Sequence, residues 1–119
     1  RVRELAAGGV SVVVSVDCGI ASVEDAAEAK AAGLELIVTD HHELRTAEDG
    51  SVILPDAAAI VHPRLPGSSY PFGDLSGAGV ALKLAWEVAR GASGGGTTSG
   101  GLREFLLDPV GPAAAGPAG

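Results

Sequence analysis

The chain has 119 residues, a formal charge of −7 and only 3% aromatic residues. This length fits one small domain or part of a larger one. The acidic charge disfavours non-specific binding to nucleic acid, which depends on Lys and Arg displacing counterions from phosphates, unless the carboxylates surround bound cations. The single cysteine, Cys18, excludes an internal disulfide. No apolar run approaches the roughly 18 residues of a membrane span, so we predict a cytoplasmic protein without a membrane partner.

The first half of the chain alternates strand and helix patterns. Val12–Val16 is a nearly continuous β-branched run, which is typical of a strand buried on both faces of a parallel sheet. A helix is predicted to begin at Ser22, with Asp25 three residues later as in a capping box, and to end at Gly33. A second strand at 34–39 completes a β-α-β unit, so the two strands are predicted to be parallel.

The next part of the chain predicts a third strand and a long helix. A polar stretch follows at 43–51, and 57–61 is predicted to form a short strand. A loop rich in Pro and Gly follows at 64–73. The long helix is predicted at 77–90, with Ser76 as its cap. Because it is apolar on most sides, we expect it to be buried.

The last third of the chain is low in complexity. Residues 91–101 are predicted to be a Gly/Ser-rich linker or loop, and 102–108 a short helix. Residues 109–119 contain only Gly, Ala, Pro and Val and are predicted to be a disordered tail. The whole pattern predicts an α/β fold at 1–90, with a parallel sheet and flanking helices.

Chemically active side chains follow the first two predicted strands. Asp17 ends one strand and Asp40 the other, and His41 and His42 come next. Ligands in open α/β sheets collect beyond the carboxyl ends of parallel strands, so we expect these four side chains on one rim of the sheet. Asp combined with His suits Mn²⁺, Zn²⁺ or Fe²⁺, whereas a site made only of oxygen ligands would suit Mg²⁺. A bound cation would relieve the repulsion between the neighbouring carboxylates and would activate a water molecule.

Structural interpretations of these residues remain open. A single Asp at a strand end is usually a cap or turn former, and an exposed His pair needs no function. His62 is interpreted as a loop residue rather than a ligand, and Cys18 as a packing residue without a basic neighbour. The glycines at 73–80 match neither a dinucleotide fingerprint nor a P-loop. Such a turn at a helix N-terminus can approach an anion or pack closely on a sheet.

Four blocks of this sequence, taken in order, resemble the DHH family of phosphoesterases. The blocks are VDCGI at 16–20, VTDHHE at 38–43, AIVHP at 59–63 and YPFGDLSGAGVALKLA at 70–85. The similarity covers about residues 1–90, and a lone Asp-His-His would be a much weaker signal. The blocks are most similar to the branch of the family that degrades single-stranded DNA.

The resemblance implies a two-metal phosphodiester hydrolase, using Mn²⁺ or Mg²⁺, that removes nucleotides from the 5′ end of single-stranded DNA in repair and recombination. From their positions in these blocks, the resemblance implies that Asp17 and His41 are metal ligands. Asp40 would be a ligand, or would orient one, and would share the catalytic role with His42 at the scissile phosphate. The residues expected near the substrate share one turn: Gly77, Ala78 and Gly79.

The resemblance also implies that this chain is a fragment of a DHH domain. Further metal ligands of the family belong to a motif expected upstream of Arg1, and another ligand is expected where 109–119 stands. We therefore expect missing N- and C-terminal domains, part of a metal site, and little or no hydrolysis by this chain alone. Two alternatives stay open: a DHH phosphodiesterase acting on short oligonucleotides or cyclic dinucleotides, and a non-catalytic α/β remnant.

Overall fold

The computed structural model describes residues 1–92. In chain order its elements are α1 (Val2–Ala7), β1 (Val12–Val16), α2 (Val23–Ala31), β2 (Glu35–Thr39), β3 (Arg45–Thr46), β4 (Val52–Ile53), β5 (Ala59–Val61) and α3 (Gly77–Ala92). Residues 1–81 form one compact unit, and the described residues 82–92 belong to a second unit. The predictions made for 93–119 lie outside the described residues.

A three-stranded parallel sheet in the order β1-β2-β5 forms the centre of the first unit. Val14 lies opposite Ile37, and Val38 lies opposite Ile60. The predicted α/β arrangement of a parallel sheet with flanking helices is confirmed. Helix α2 connects β1 to β2 and ends just before Gly33, whose φ of +80° is the left-handed conformation expected of a glycine after a helix. Ser22 stands at its N-cap but makes no side-chain capping bond, so the predicted capping box is wrong.

A small hairpin begins in the polar stretch at 43–51. Strands β3 and β4 pair antiparallel, with Arg45 opposite Ile53 and Thr46 opposite Val52. No strand is predicted in this segment from the sequence. Each strand has only two residues, which is too few for an alternating pattern to be recognised in the sequence.

The hydrophobic core of the described residues is small and lies mainly between α2 and the sheet. Its members are Ile20, Ala26, Ala29, Leu34, Val38 and Val80. On the opposite face of β1, Val12, Val14 and Val16 are exposed. The prediction that β1 is buried on both faces is therefore wrong within this structure, because a β-branched run reports strand propensity rather than the presence of a covering layer.

Helix α3 continues to Ala92, two residues into the segment predicted as a linker. Its N-terminus is capped as predicted, since the Ser76 hydroxyl oxygen accepts the Gly79 N–H at 3.1 Å. The prediction that the helix is buried is wrong for its later turns, where Trp86 and Val88 are exposed. An apolar pattern shows what a helix would bury, not whether a partner surface is there. Within residues 1–92, no helix is long and apolar enough to cross a membrane.

Candidate metal centre

The register of the sheet brings three strand ends to one edge. Val16 of β1 lies opposite Thr39 of β2, which in turn lies opposite Val61 of β5. The next residue after each strand is therefore at the same rim, and these three residues are Asp17, Asp40 and His62. Backbone hydrogen bonds continue past the strands, with Asp17 N–H donating to the Thr39 carbonyl at 3.0 Å and Asp40 N–H to the Val61 carbonyl at 3.1 Å.

Three side chains at this rim form a cluster of ligand type. One donor atom from each of Asp17, His41 and His42 lies within 4.8 Å of the others. His41 Nε2 is 2.9 Å from Asp17 Oδ1, and the two imidazole rings are 4.5 Å apart between centroids. Ligand atoms around a transition metal lie about 2.0–2.2 Å from the ion, so three of them cannot all be more than about 3.8 Å from each other. Binding one ion would therefore draw the three donor atoms closer together.

The donor set fits a divalent transition metal. One carboxylate oxygen and two imidazole nitrogens suit Mn²⁺, Zn²⁺ or Fe²⁺ better than Mg²⁺. Asp17 and His42 are exposed and His41 is half-buried, so an ion can reach all three from solvent. We name Asp17, His41 and His42 the metal cluster.

Asp17 has an unusual backbone conformation. Its φ is +61°, and it is the one residue other than glycine with a positive φ in the part of the chain that the structure describes. Aspartate tolerates the left-handed region better than most residues, but at a cost of about 1–2 kcal/mol. Such strain persists only where surrounding contacts impose it, and it is concentrated at functional sites. The conformation turns the chain sharply after β1 and leaves the Asp17 carboxylate beside His41.

Asp40 lies at the same rim but outside the metal cluster. Its side chain is buried, and its Oδ2 accepts the Ile20 N–H at 3.0 Å. Its Oδ1 accepts the N–H groups of His41 and His42 at 2.8 and 3.3 Å, and lies 2.6 Å from His42 Nδ1. Both carboxylate oxygens are thus committed to N–H donors. This geometry suits the orienting role of Asp40, because a carboxylate on Nδ1 directs the opposite nitrogen of the ring, Nε2, outwards.

The same contacts set the protonation state of Asp40. Burial alone would raise the pKa of this carboxyl, but the N–H of Ile20, the ring of His42 and the N–H groups of His41 and His42 together hold the pKa below its ordinary value. The carboxylate is therefore ionised at neutral pH. Since its pKa is lower in the folded chain than in the unfolded chain, it stabilises the fold at neutral pH, and that stabilisation is lost as the pH falls through the folded pKa.

Two residues in the segment that follows β5 support the loop that carries His41 and His42, and no sequence pattern indicates this support. His62 is buried and donates from Nε2 to the His42 carbonyl at 2.7 Å, while its Nδ1 accepts the Arg64 N–H at 3.0 Å. Arg64 Nη2 donates to the His41 carbonyl at 3.2 Å and to Glu43 at 3.1 Å. As predicted for a loop residue, His62 lies outside the metal cluster.

The glycine-rich turn that begins α3 contacts the metal cluster at Gly77. A Cβ on Gly77 would lie 2.1 Å from Asp17 Oδ1 and 2.4 Å from its Cγ, so only glycine leaves room for the carboxylate. Of the other two residues predicted near the substrate, Ala78 is exposed and Gly79 lies against the Leu75 side chain. Cys18 is exposed, so its interpretation as a packing residue is wrong.

Replacing Asp40 with Asn should destabilise the chain in a pH-dependent way. The amide keeps the size of the side chain but removes one acceptor from a buried group, which costs about 1–3 kcal/mol of unfolding free energy at pH 7. The difference from the wild type should shrink below about pH 4, where the carboxyl of the unfolded chain also becomes protonated. Urea denaturation with a chelator present, at pH 7 and pH 3, measures it. The control is Asp56→Asn at an exposed ion pair; an equal effect there would contradict the prediction.

Replacing Gly77 with Ala should weaken metal binding by displacing the Asp17 carboxylate. We expect at least a tenfold loss of Mn²⁺ affinity, measured by calorimetric titration, as is typical when the support of a ligand is disturbed. Gly91→Ala is the matched control, because that glycine lies in the same helix and a Cβ there meets nothing within 4 Å. Unchanged affinity in the folded Gly77→Ala variant would contradict the prediction.

Comparison with known proteins identifies the family. Residues 2–106 match the model of the DHH family, N-terminal domain. The single-stranded-DNA-specific exonuclease RecJ of Bacillus subtilis (strain 168) is 49% identical over 83 residues, which are 70% of this chain and 10% of that protein. RecJ of Salmonella typhimurium is 42% identical over 83 residues, covering 70% of this chain and 13% of the relative.

A third relative, RecJ of Haemophilus influenzae, is 38% identical over 80 residues, 67% of this chain and 13% of that protein. The chain therefore spans between 10% and 13% of the length of these curated relatives. The family match extends over most of the chain and includes every residue of the metal cluster. This chain belongs to the DHH family.

Proposed function

We propose that this chain carries part of the catalytic metal site of a RecJ-like exonuclease, which hydrolyses phosphodiester bonds from the 5′ end of single-stranded DNA. The observation that carries the proposal is the metal cluster, in which a carboxylate and two imidazoles converge at the ends of adjacent parallel strands. Three relatives at 38–49% identity, each named a single-stranded-DNA-specific exonuclease, support single-stranded DNA as the substrate. The 5′ direction is what the resemblance implies.

On this proposal, Asp17 and His41 hold the ion, which is Mn²⁺ or Mg²⁺ in a two-metal site of the whole protein. His42 points its free nitrogen at the ion or at the scissile phosphate, because Asp40 occupies its Nδ1. When bound, the metal polarises the phosphoryl oxygen and lowers the pKa of bound water. The N-terminus of α3, at Gly77, Ala78 and Gly79, would lie beside the phosphate and offer it the N–H groups of Gly77 and Ala78, since the Gly79 N–H is donated to Ser76.

The acidic charge of the chain is compatible with a DNA substrate under this mechanism. A cluster of carboxylate and imidazole groups attracts cations, and the bound cations then attract the phosphate backbone. The remaining ligands and the DNA-binding surface would belong to the portions of the relatives that this chain does not match. The proposal places the whole protein in the cytoplasm, in DNA repair and recombination.

The metal cluster is tested directly by Mn²⁺ titration of the purified chain. We expect one weak Mn²⁺ site that is lost in His41→Ala, which removes one of three donors, and in Asp17→Asn, which removes the negative charge of the carboxylate ligand. Asp49→Asn is the matched control, since that exposed carboxylate is bonded to Ser51 outside the cluster. Isothermal calorimetry gives the affinities, and circular dichroism checks the fold of each variant. Equal binding by the wild type and both cluster variants would contradict the proposed site.

Hydrolysis by this chain alone should be absent or very slow, because one weakly held ion lacks the second metal that stabilises the leaving oxygen. The measurement is the shortening of a single-stranded oligonucleotide, labelled at its 3′ end, in Mn²⁺ and in chelator. His42→Ala is the control for contaminating nucleases. Mn²⁺-dependent shortening that disappears in His42→Ala would contradict the expected inactivity and would support the proposed function directly.

A further inference from the structure

The two histidines of the metal cluster have their backbone held from one neighbouring segment. Residues 62–64, which we name the brace, follow β5 directly. Within the brace, His62 Nε2 lies 2.7 Å from the His42 carbonyl oxygen and Arg64 Nη2 lies 3.2 Å from the His41 carbonyl oxygen. Two successive carbonyls of the ligand-bearing loop are therefore each held by a side chain of the same three-residue segment.

The hydrogen bonds of His62 define its tautomer. Nδ1 accepts the Arg64 N–H at 3.0 Å, so it carries no proton, and the single ring proton of the neutral imidazole is on Nε2. That proton is donated to the His42 carbonyl. The ring is 6% exposed, so water competes little for either bond. Both ring nitrogens are used, which leaves His62 no free atom with which to bind an ion.

The brace and Asp40 hold His42 at different atoms. Asp40 holds the ring of His42 through Nδ1 at 2.6 Å, and His62 holds its carbonyl. A residue fixed both at its side chain and at its peptide has few remaining rotations. The direction in which its free nitrogen points is thus determined by two buried partners on different strand ends.

We propose that His62 is a positioning residue of the metal cluster. It fixes the backbone of His41 and His42, so that the donor atoms of the cluster converge before an ion binds. Arg64 assists through the His41 carbonyl. The inference rests on the proposed function, since it assigns His62 to the same metal site. Preorganised donors bind more tightly because the entropy of ordering them is not lost on binding.

The brace predicts a specific pattern of rescue. In Gln, the amide nitrogen is as many bonds from Cα as Nε2 is in His, so His62→Gln keeps a donor for the His42 carbonyl. His62→Ala removes it. We expect Ala to lower the Mn²⁺ affinity of the full 119-residue chain by about 10- to 100-fold, and Gln to stay within about threefold of the wild type. Calorimetric titration measures all three proteins.

The control is Ser68→Ala, which removes another side chain that accepts a backbone N–H in the loop after β5, at 3.1 Å from Tyr70 N. It should leave Mn²⁺ affinity unchanged. A role of His62 in stability alone would lower the melting temperature of His62→Ala, measured by circular dichroism, without changing the affinity of the folded protein. That result would overturn the inference.

The remaining outcomes separate this inference from the proposed function. If the wild type binds no Mn²⁺, the proposed metal site fails, and the inference fails with it. If the wild type binds but folded His62→Ala binds as tightly, only the inference fails. Should His62→Ala not fold, His62→Gln decides: affinity near the wild type supports the brace, and a tenfold or greater loss in folded Gln protein overturns it.

Discussion

The buried carboxylate of Asp40 is the contact on which the site depends. It receives N–H groups from the turn after β1, through Ile20, and from the loop after β2, through His41 and His42. A buried carboxylate without partners would be far too costly to keep ionised, so these segments must stay in place for the fold to persist. The metal cluster is formed by the same segments. Its geometry is therefore a consequence of satisfying one buried charge.

This arrangement explains how so small a core can hold a strained site. Six apolar side chains are buried in the described residues, and Asp17 adopts a conformation that costs free energy. Hydrogen bonds at the rim add stability that the small core does not provide. Thr39 Oγ1 donates to the Ser15 carbonyl at 2.6 Å, and the Asp17 N–H donates to the Thr39 carbonyl, which extends the pairing of the two strands. A metal bound at the rim would add to this stability, because an ion that binds only the folded chain shifts the equilibrium towards it.

The sequence predicted the parallel strands, the connecting helix and the rim where Asp17, His41 and His42 meet, because these follow from local patterns and from the direction of parallel strands. It did not predict that Asp40 turns inward. The inward orientation of Asp40 depends on a hydrogen bond from the Ile20 N–H. That residue is 20 positions away along the chain, and no sequence pattern indicates the contact. The role of His62 was missed for the same reason: a histidine before a proline looks like a loop residue until its distant carbonyl partner is known.

These hydrogen bonds also limit how far a substitution can change metal binding without changing the stability of the fold. Removing Asp40 would change the stability, the orientation of His42 and the metal affinity together, so a loss of metal affinity in such a variant would be ambiguous. His62 is more informative, since its donor can be replaced by an amide that reaches the same carbonyl while the charge of the site stays constant. A loss of metal affinity that the amide restores would have to come from the position of the His42 backbone. That separation is possible because His62 lies outside the metal cluster and contacts the peptide carbonyl of His42.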